Sequence, residues 1–313
     1  MSGEVLTVEV VRSGFVESVH RARLLAVDAG GSPVRVHGAV DALVSPRSAV
    51  KPLQALGMIR AGLPLRDELL ALSCASHLGE PFHLDGVRKI LGEAGLGEDA
   101  LRCPEDLPGD PASRDEVLRS GGGPARIFMN CSGKHAAMLA TCAVNDWPLE
   151  TYLDPAHPLQ RAIRDTVSEL SGELIAATGV DGCGAPLFFV STVGVTRAFR
   201  ALVQVAPGTP ERQVADAFRT HPEWTSGTTR PEVRLMRALP GLMVKTGAEA
   251  FAAFAFADGR AGAVKIEDGG GRAQIPVVVT ALRALGFEAP ELDELATGVL
   301  LGGGRPVGEI RVR

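Results

Sequence analysis

Residues 47–52 read Arg47-Ser48-Ala49-Val50-Lys51-Pro52, and the apolar run Leu53, Leu56, Met58 and Ile59 follows at once. The run predicts a helix over about 50–61. Positions three apart share a helix face, so the spacing brings the Lys51 amine within reach of the Ser48 hydroxyl. Serine alone is a poor nucleophile near neutral pH, and a neutral amine that takes its proton activates it. A helix N-terminus adds N–H donors and a positive dipole end, both favourable to an oxyanion. S-x-x-K also arises by chance, as an N-cap serine followed by a solvated lysine. The string therefore needs support from the rest of the chain.

Working outward, Val-rich alternation predicts strands over 4–11, 20–28 and 34–38, the last two joined by the Gly30-Gly31-Ser32 turn. Helix-period apolar positions recur over 66–75, 82–94, 133–145 and 157–171. Residues 103–124, rich in Pro, Asp and Gly, read as a long loop. Residues 185–205 read as a further helix, as do 210–220, 230–239 and 272–286. Strands return at 249–257 and 261–267 around Asp258-Gly259, a hairpin signal, and EIRVR ends the chain as a last strand. The order implies an α/β (α+β) fold, with an antiparallel sheet built from both termini and a helical insert. Residues 1–313 then form one catalytic unit. Roughly 1–50 and 240–313 carry the sheet, and roughly 51–240 are mainly helical.

The chain has 313 residues and a net charge of −5, so nothing attracts nucleic acid or an anionic membrane surface. Aromatic residues at 4% weaken a base-stacking role further. Five cysteines, an odd number in a long chain, do not form a disulfide framework. No apolar run of membrane-spanning length and no secretory leader are evident. The expectation is a cytoplasmic protein acting on a small molecule.

Three other stretches carry chemistry. SCASHLGEPFH (73–83) holds Ser76, His77, Glu80 and His83. His77, Glu80 and His83 fall three apart, which makes a metal site conceivable, but a helix starting at Glu80-Pro81 with His83 on its surface is the simpler reading. FMNCSGKH (128–135) gathers Asn130, Cys131, Ser132, Lys134 and His135 at a helix start, and does not meet the P-loop spacing. GVDGCGAP (179–186) adds Asp181 and Cys183 in a glycine-rich turn. Lys245-Thr246-Gly247 and Lys265 lie late in the chain. S-x-x-K with a downstream K-T-G is a signature of penicillin-binding enzymes.

Taken together, RSGFVESVHR (12–21), RSAVKPLQAL (47–56), SCASHLGEPFH, NCSGKHAAML (130–139), GVDGCGAP and VKTGAEA (244–250) resemble the bacterial asparaginases of the Rhizobium etli type, the asparaginase II family. The resemblance spans roughly residues 5–270. It implies a fold similar to serine β-lactamases, penicillin-binding proteins and bacterial glutaminases. It implies hydrolysis of L-asparagine to L-aspartate and ammonia through a serine-linked acyl-enzyme. Carried over by motif, Ser48 is the nucleophile and Lys51 its base. Ser76 and Lys265 are a second catalytic pair, Lys265 being preferred to Lys245. The resemblance further implies zinc held by Cys131, Lys134 and Cys183, and a homodimer. Arg47, His77, Asn130 and Asp181 are expected at the substrate, with Asp181 serving its ammonium and Arg47 or zinc its carboxylate. Two departures stand out: Ala250 replaces a glycine of G-A-E-G, and Trp224 replaces a tyrosine. Two other readings remain at this stage, a penicillin-binding or β-lactamase-like serine acylase and a non-catalytic zinc protein on the same scaffold.

Overall fold

The computed structural model describes residues 2–313; Met1, which the expected ranges include, lies outside them. A nine-stranded antiparallel sheet is assembled from both ends of the chain. Its main path runs 299–302, 305–312, 6–12, 15–27, 261–266, 251–256 and 242–247, so 242–247 is an edge strand. The strand Pro33–Ala39 joins beside 15–27. Phe251–Phe256 is buried at every position, and because side chains alternate, both its faces are covered. Two helices that pack on it, Thr192–Val203 (α7) and Gln274–Ala284 (α11), form part of that cover.

Between the two sheet-forming segments lies the helical part. Lys51–Arg60 (α1) packs against Pro158–Ser171 (α6), Pro210–Thr220 (α8) and Ser132–Val144 (α5). Asp67–Ser73 (α2) and Pro81–Glu93 (α3) close around α5. Gly133 marks how tightly they meet, since a Cβ there would lie 2.6 Å from Leu72 O. No described helix is long and apolar enough to cross a membrane.

The architecture is the expected antiparallel sheet with a helical insert, and local differences have local causes. Residues 103–124 are not all loop: Pro111–Arg119 is helical (α4). Asp110 caps it by accepting from Ser113 N at 2.8 Å, and proline opens it. None of its residues is buried, so it carries no apolar periodicity to detect. The expected helix at 185–205 begins only at Thr192, because Pro186–Phe188 and Val190–Ser191 are short strands. A fully buried apolar run looks alike in either state. Leu242–Gly247 is a strand that ends on the Lys245-Thr246-Gly247 string.

Candidate active site

Ser48 stands on a single 3-10 turn, Arg47–Val50, that leads into α1. Arg47 opens the turn with φ of +48°, a left-handed conformation that costs a non-glycine residue about 1 kcal/mol or more. Its side chain is tied down, Arg47 Nε donating to Asp181 Oδ1 at 2.6 Å. The edge strand 242–247 presses against this turn. A Cβ on Gly247 would stand 2.5 Å from Pro46 O and 3.2 Å from Ser48 N, so only glycine permits the approach.

That approach delivers Lys245, two residues earlier on the same strand. Lys245 Nζ donates to Ser76 Oγ at 3.1 Å and to Thr246 O at 2.8 Å. Lys51 Nζ reaches the same Ser76 Oγ at 3.0 Å, together with Cys131 Sγ at 3.0 Å and the Ala75 carbonyl. Both lysines are almost wholly buried. Burial, and then the like charge of Lys51, bring the Lys245 amine down to about 7 against the pull of Glu232. One serine oxygen thus lies between two buried amines. Lys51 turns to Ser76; no hydrogen bond joins it to Ser48 among the described residues.

Lys265 does not enter this cluster, contrary to the expectation from its motif. Its Nζ donates to the Glu249 and Ile266 carbonyls at 2.5 and 2.7 Å. Strand order explains the difference. Lys265 lies two strands inward from the edge strand, about 10 Å at ordinary strand spacing. Lys245 is the partner of Ser76.

Cys131, Lys134 and Cys183 lie together. Lys134 Nζ donates to Cys183 Sγ at 3.1 Å, and both sulfurs are buried and unbridged. The two thiols split. Cys131 is pushed well up by its neighbour Cys183 and by burial, and its sulfur lies 3.0 Å from Asn130 Oδ1. Cys183 is drawn well below its ordinary value by the Cys131 hydrogen bond and the Lys134 charge. Lys134 is raised: burial opposes its charge, but Cys183, Cys131 and Asp181 outweigh it. Two sulfurs and a nitrogen are donor atoms that zinc accepts, and Cys131 and Lys134 would each have to shed a proton to bind it. His135 Nε2, buried beside them, has no partner among the described residues. No group of three His, Cys, Asp or Glu side chains among those residues is placed to hold a metal, so His77, Glu80 and His83 form no such site. Glu80 instead accepts from Thr228 N at 3.0 Å, and His83, expected on the helix surface, is fully buried and bonded to Glu223 O at 3.1 Å.

A cavity of about 320 Å³ opens over this cluster. Ser48, Ser76, His77 and Asn130 line it, as do Thr246, Gly247 and Ala248. Gly79 N donates to His77 Nδ1 at 3.1 Å, so Nε2 carries the proton and donates to Ser132 Oγ at 2.9 Å. Burial holds His77 neutral, with a pKa well below its ordinary value. Both ring nitrogens are occupied, and the ring shapes the wall. Arg47 and Asp181 pair with each other, and neither lines the cavity. Asp106, Arg114, Arg230 and Gln274 do line it, and no motif marks them. Trp224 lies away from the cavity, edge-on to Phe82 with ring centroids 4.9 Å apart. Ala250 and Glu249 follow the Gly247 turn with φ of +51° and +60°, so Ala250 does occupy a glycine-type conformation.

No curated protein matches this chain significantly. Among solved structures it is distantly similar to a β-lactamase from Mycobacterium bovis, with 15% identity over 79% of this chain and 87% of that one, at a TM-score of 0.44. It is also similar to Mglu, with 13% identity over 84% of this chain and 63% of that one, at a TM-score of 0.44. A third, EstCE1, is described as a hydrolase with promiscuous acyltransferase activity; identity is 13% over 90% of this chain and 93% of that one, at a TM-score of 0.39. At these levels the likenesses say nothing about substrate. Residues 8–312, nearly the whole chain, match the family described as L-asparaginase II, and the protein belongs to that family.

Proposed function

We propose that the protein hydrolyses L-asparagine to L-aspartate and ammonia through an acyl-enzyme on Ser48. The observation that carries the reading is Ser76 Oγ, held 3.0 Å from Lys51 Nζ and 3.1 Å from Lys245 Nζ in the wall of the cavity that Ser48 lines. A hydroxyl between two amines conducts a proton in either direction. In acylation, Lys51 first passes one of its protons through Ser76 to Lys245, whose value near 7 leaves it able to accept one at neutral pH. The neutral Lys51 amine then takes the Ser48 proton as Ser48 Oγ attacks the side-chain amide carbon. As the C–N bond breaks, the path reverses and Ser76 delivers the proton to the leaving nitrogen, which departs as ammonia. Water then attacks the ester, losing its proton to the same chain, and Ser48 recovers its own. The backbone amides of Ser48 and Ala248, both residues of the cavity wall, are the proposed oxyanion donors.

Zinc is proposed on Cys131, Lys134 and Cys183. Bound there it would fix both sulfurs and add positive charge behind Lys51. The residues' own part is to hold Cys131 against Lys51 Nζ at 3.0 Å.

The test is ammonia release from L-asparagine, with L-glutamine and a chromogenic β-lactam run beside it. Turnover of asparagine by wild type, with none from Ser48→Ala, is the expected result. Cleavage of the β-lactam alone would favour the acylase reading. No turnover of any of the three by folded protein would leave the scaffold without this chemistry.

A further inference from the structure

A free amino acid brings an α-carboxylate into the cavity, and burying that charge requires a partner. Lys51 and Lys245 are committed to Ser76, and Arg47 is committed to Asp181. The wall supplies two more cations, Arg114 and Arg230. Arg114 lies on α4, where no residue is buried, and turns its Nε to Pro108 O at 3.0 Å. Arg230 is differently placed. It immediately precedes the helix Pro231–Ala238, which packs against the edge strand 242–247.

The Arg230 guanidinium is oriented by a buried acid. Its Nε donates to Glu232 Oε1 at 3.3 Å, and Thr246 Oγ1 donates to the same oxygen at 3.0 Å. Glu232 is 3% exposed. One buried carboxylate therefore ties together two residues of the cavity wall, the second of which directly follows Lys245. With Nε engaged and no hydrogen bond from either terminal nitrogen of Arg230 among the described residues, these two nitrogens can form the fork that matches a carboxylate. The side chain is 44% exposed, so the fork meets solvent when no substrate is bound.

We propose that Arg230, oriented by Glu232, binds the α-carboxylate of the amino-acid substrate and restricts the cavity to free amino acids. This rests on the hydrolase reading and deepens it by naming the group recognised. Glu232 is the positioning residue. It holds Arg230 on one side and, through Thr246, the strand that carries Lys245 on the other.

The test compares L-asparagine with its α-carboxamide analogue, which lacks the carboxylate charge, and titrates L-aspartate calorimetrically. Wild type, Arg230→Lys and Arg230→Gln are measured. Losing a charge-assisted pair should raise KM for asparagine about 10- to 100-fold in Arg230→Gln, with kcat changed far less. The preference for asparagine over the carboxamide should collapse, and aspartate should bind correspondingly more weakly. Arg230→Lys, which keeps the charge and loses the fork, should fall between. Equal losses on both substrates, or unchanged aspartate affinity in Arg230→Gln, would overturn the assignment. Turnover absent in wild type, with aspartate binding still dependent on Arg230, would overturn the reaction and uphold the site.

Discussion

Lys245→Met should make the protein more stable while destroying its activity. The amine is 2% exposed, and its pKa falls from 10.5 to about 7, chiefly by burial and then by the charge of Lys51. At about 1.4 kcal/mol per unit, that depression represents about 5 kcal/mol of folding free energy at neutral pH. Methionine has similar reach and packs adaptably. It forfeits the bonds to Ser76 Oγ and Thr246 O, worth about 1–2 kcal/mol each. A net gain of about 2 kcal/mol remains, a rise of a few degrees in Tm. The pH dependence identifies the source. Between the folded value of about 7 and the unfolded 10.5, the unfolded chain binds the extra proton, so wild-type stability climbs with pH across that window. The variant's advantage should therefore be largest at and below about pH 7 and fade toward pH 10.5. Paired thermal melts from about pH 6.5 to about pH 9.5 read it directly. A variant that melts below wild type by the same margin at every pH would refute the argument, because Lys245 would then be held by contacts worth more than its burial costs.

Three other outcomes follow from the same geometry. With Lys245 titrating near 7, kcat/KM should rise about tenfold from pH 6 to pH 8, and Lys245→Arg, which cannot release its proton in this range, should be nearly inactive; a pH-independent wild type would remove Lys245 from the proton path. Metal analysis of protein purified under reducing conditions should find about one zinc per chain, and far less in Cys131→Ala with Cys183→Ala; equal zinc in both would eliminate the site. Ala250→Gly should raise stability by about 1 kcal/mol, because Ala250 takes φ of +51° where glycine is unstrained; an unchanged or lower Cm in urea would mean that its buried methyl is worth more than the strain.

Legibility in the sequence followed the range of the interaction that decides each feature. The helix after Ser48 was visible because its apolar spacing is local. So was the 251–266 hairpin, whose Asp258-Gly259 turn is coded in adjacent residues and realised with φ of +95° at Gly259. The exposed helix Pro111–Arg119 has nothing to bury, so it left no periodic trace. In the site, motifs pointed to Ser48, Lys51, Ser76 and the Cys131–Lys134–Cys183 group. Nothing local distinguishes Arg230 and Glu232 from ordinary charges at a helix start. Their significance comes from a tertiary contact, the hydrogen bond from Thr246 to Glu232.

The choice between Lys245 and Lys265 shows where one-dimensional reading stops. Each lies on a strand, and alternation does not separate them. Lys245 is directly opposite Ala253, and Lys265 is opposite Phe251, two residues away on the same strand. Directly paired residues share a face, as do residues two apart, so both lysines project from the same side of the sheet. What distinguishes them is lateral position. The strand Leu242–Gly247 lies at the sheet edge and carries the glycine that touches the Ser48 turn, whereas 261–266 is sealed between 15–27 and 251–256. Placing the edge strand required the full strand order, set by hydrogen bonds between segments more than two hundred residues apart, such as Lys265 with Arg23. Environment then separates the two amines. Lys265 is only partly buried and leans on two backbone carbonyls, while Lys245 is enclosed beside a second amine. Desolvation and like charge together bring an amine toward neutral pH, and of the two lysines only Lys245 meets both conditions within reach of Ser76.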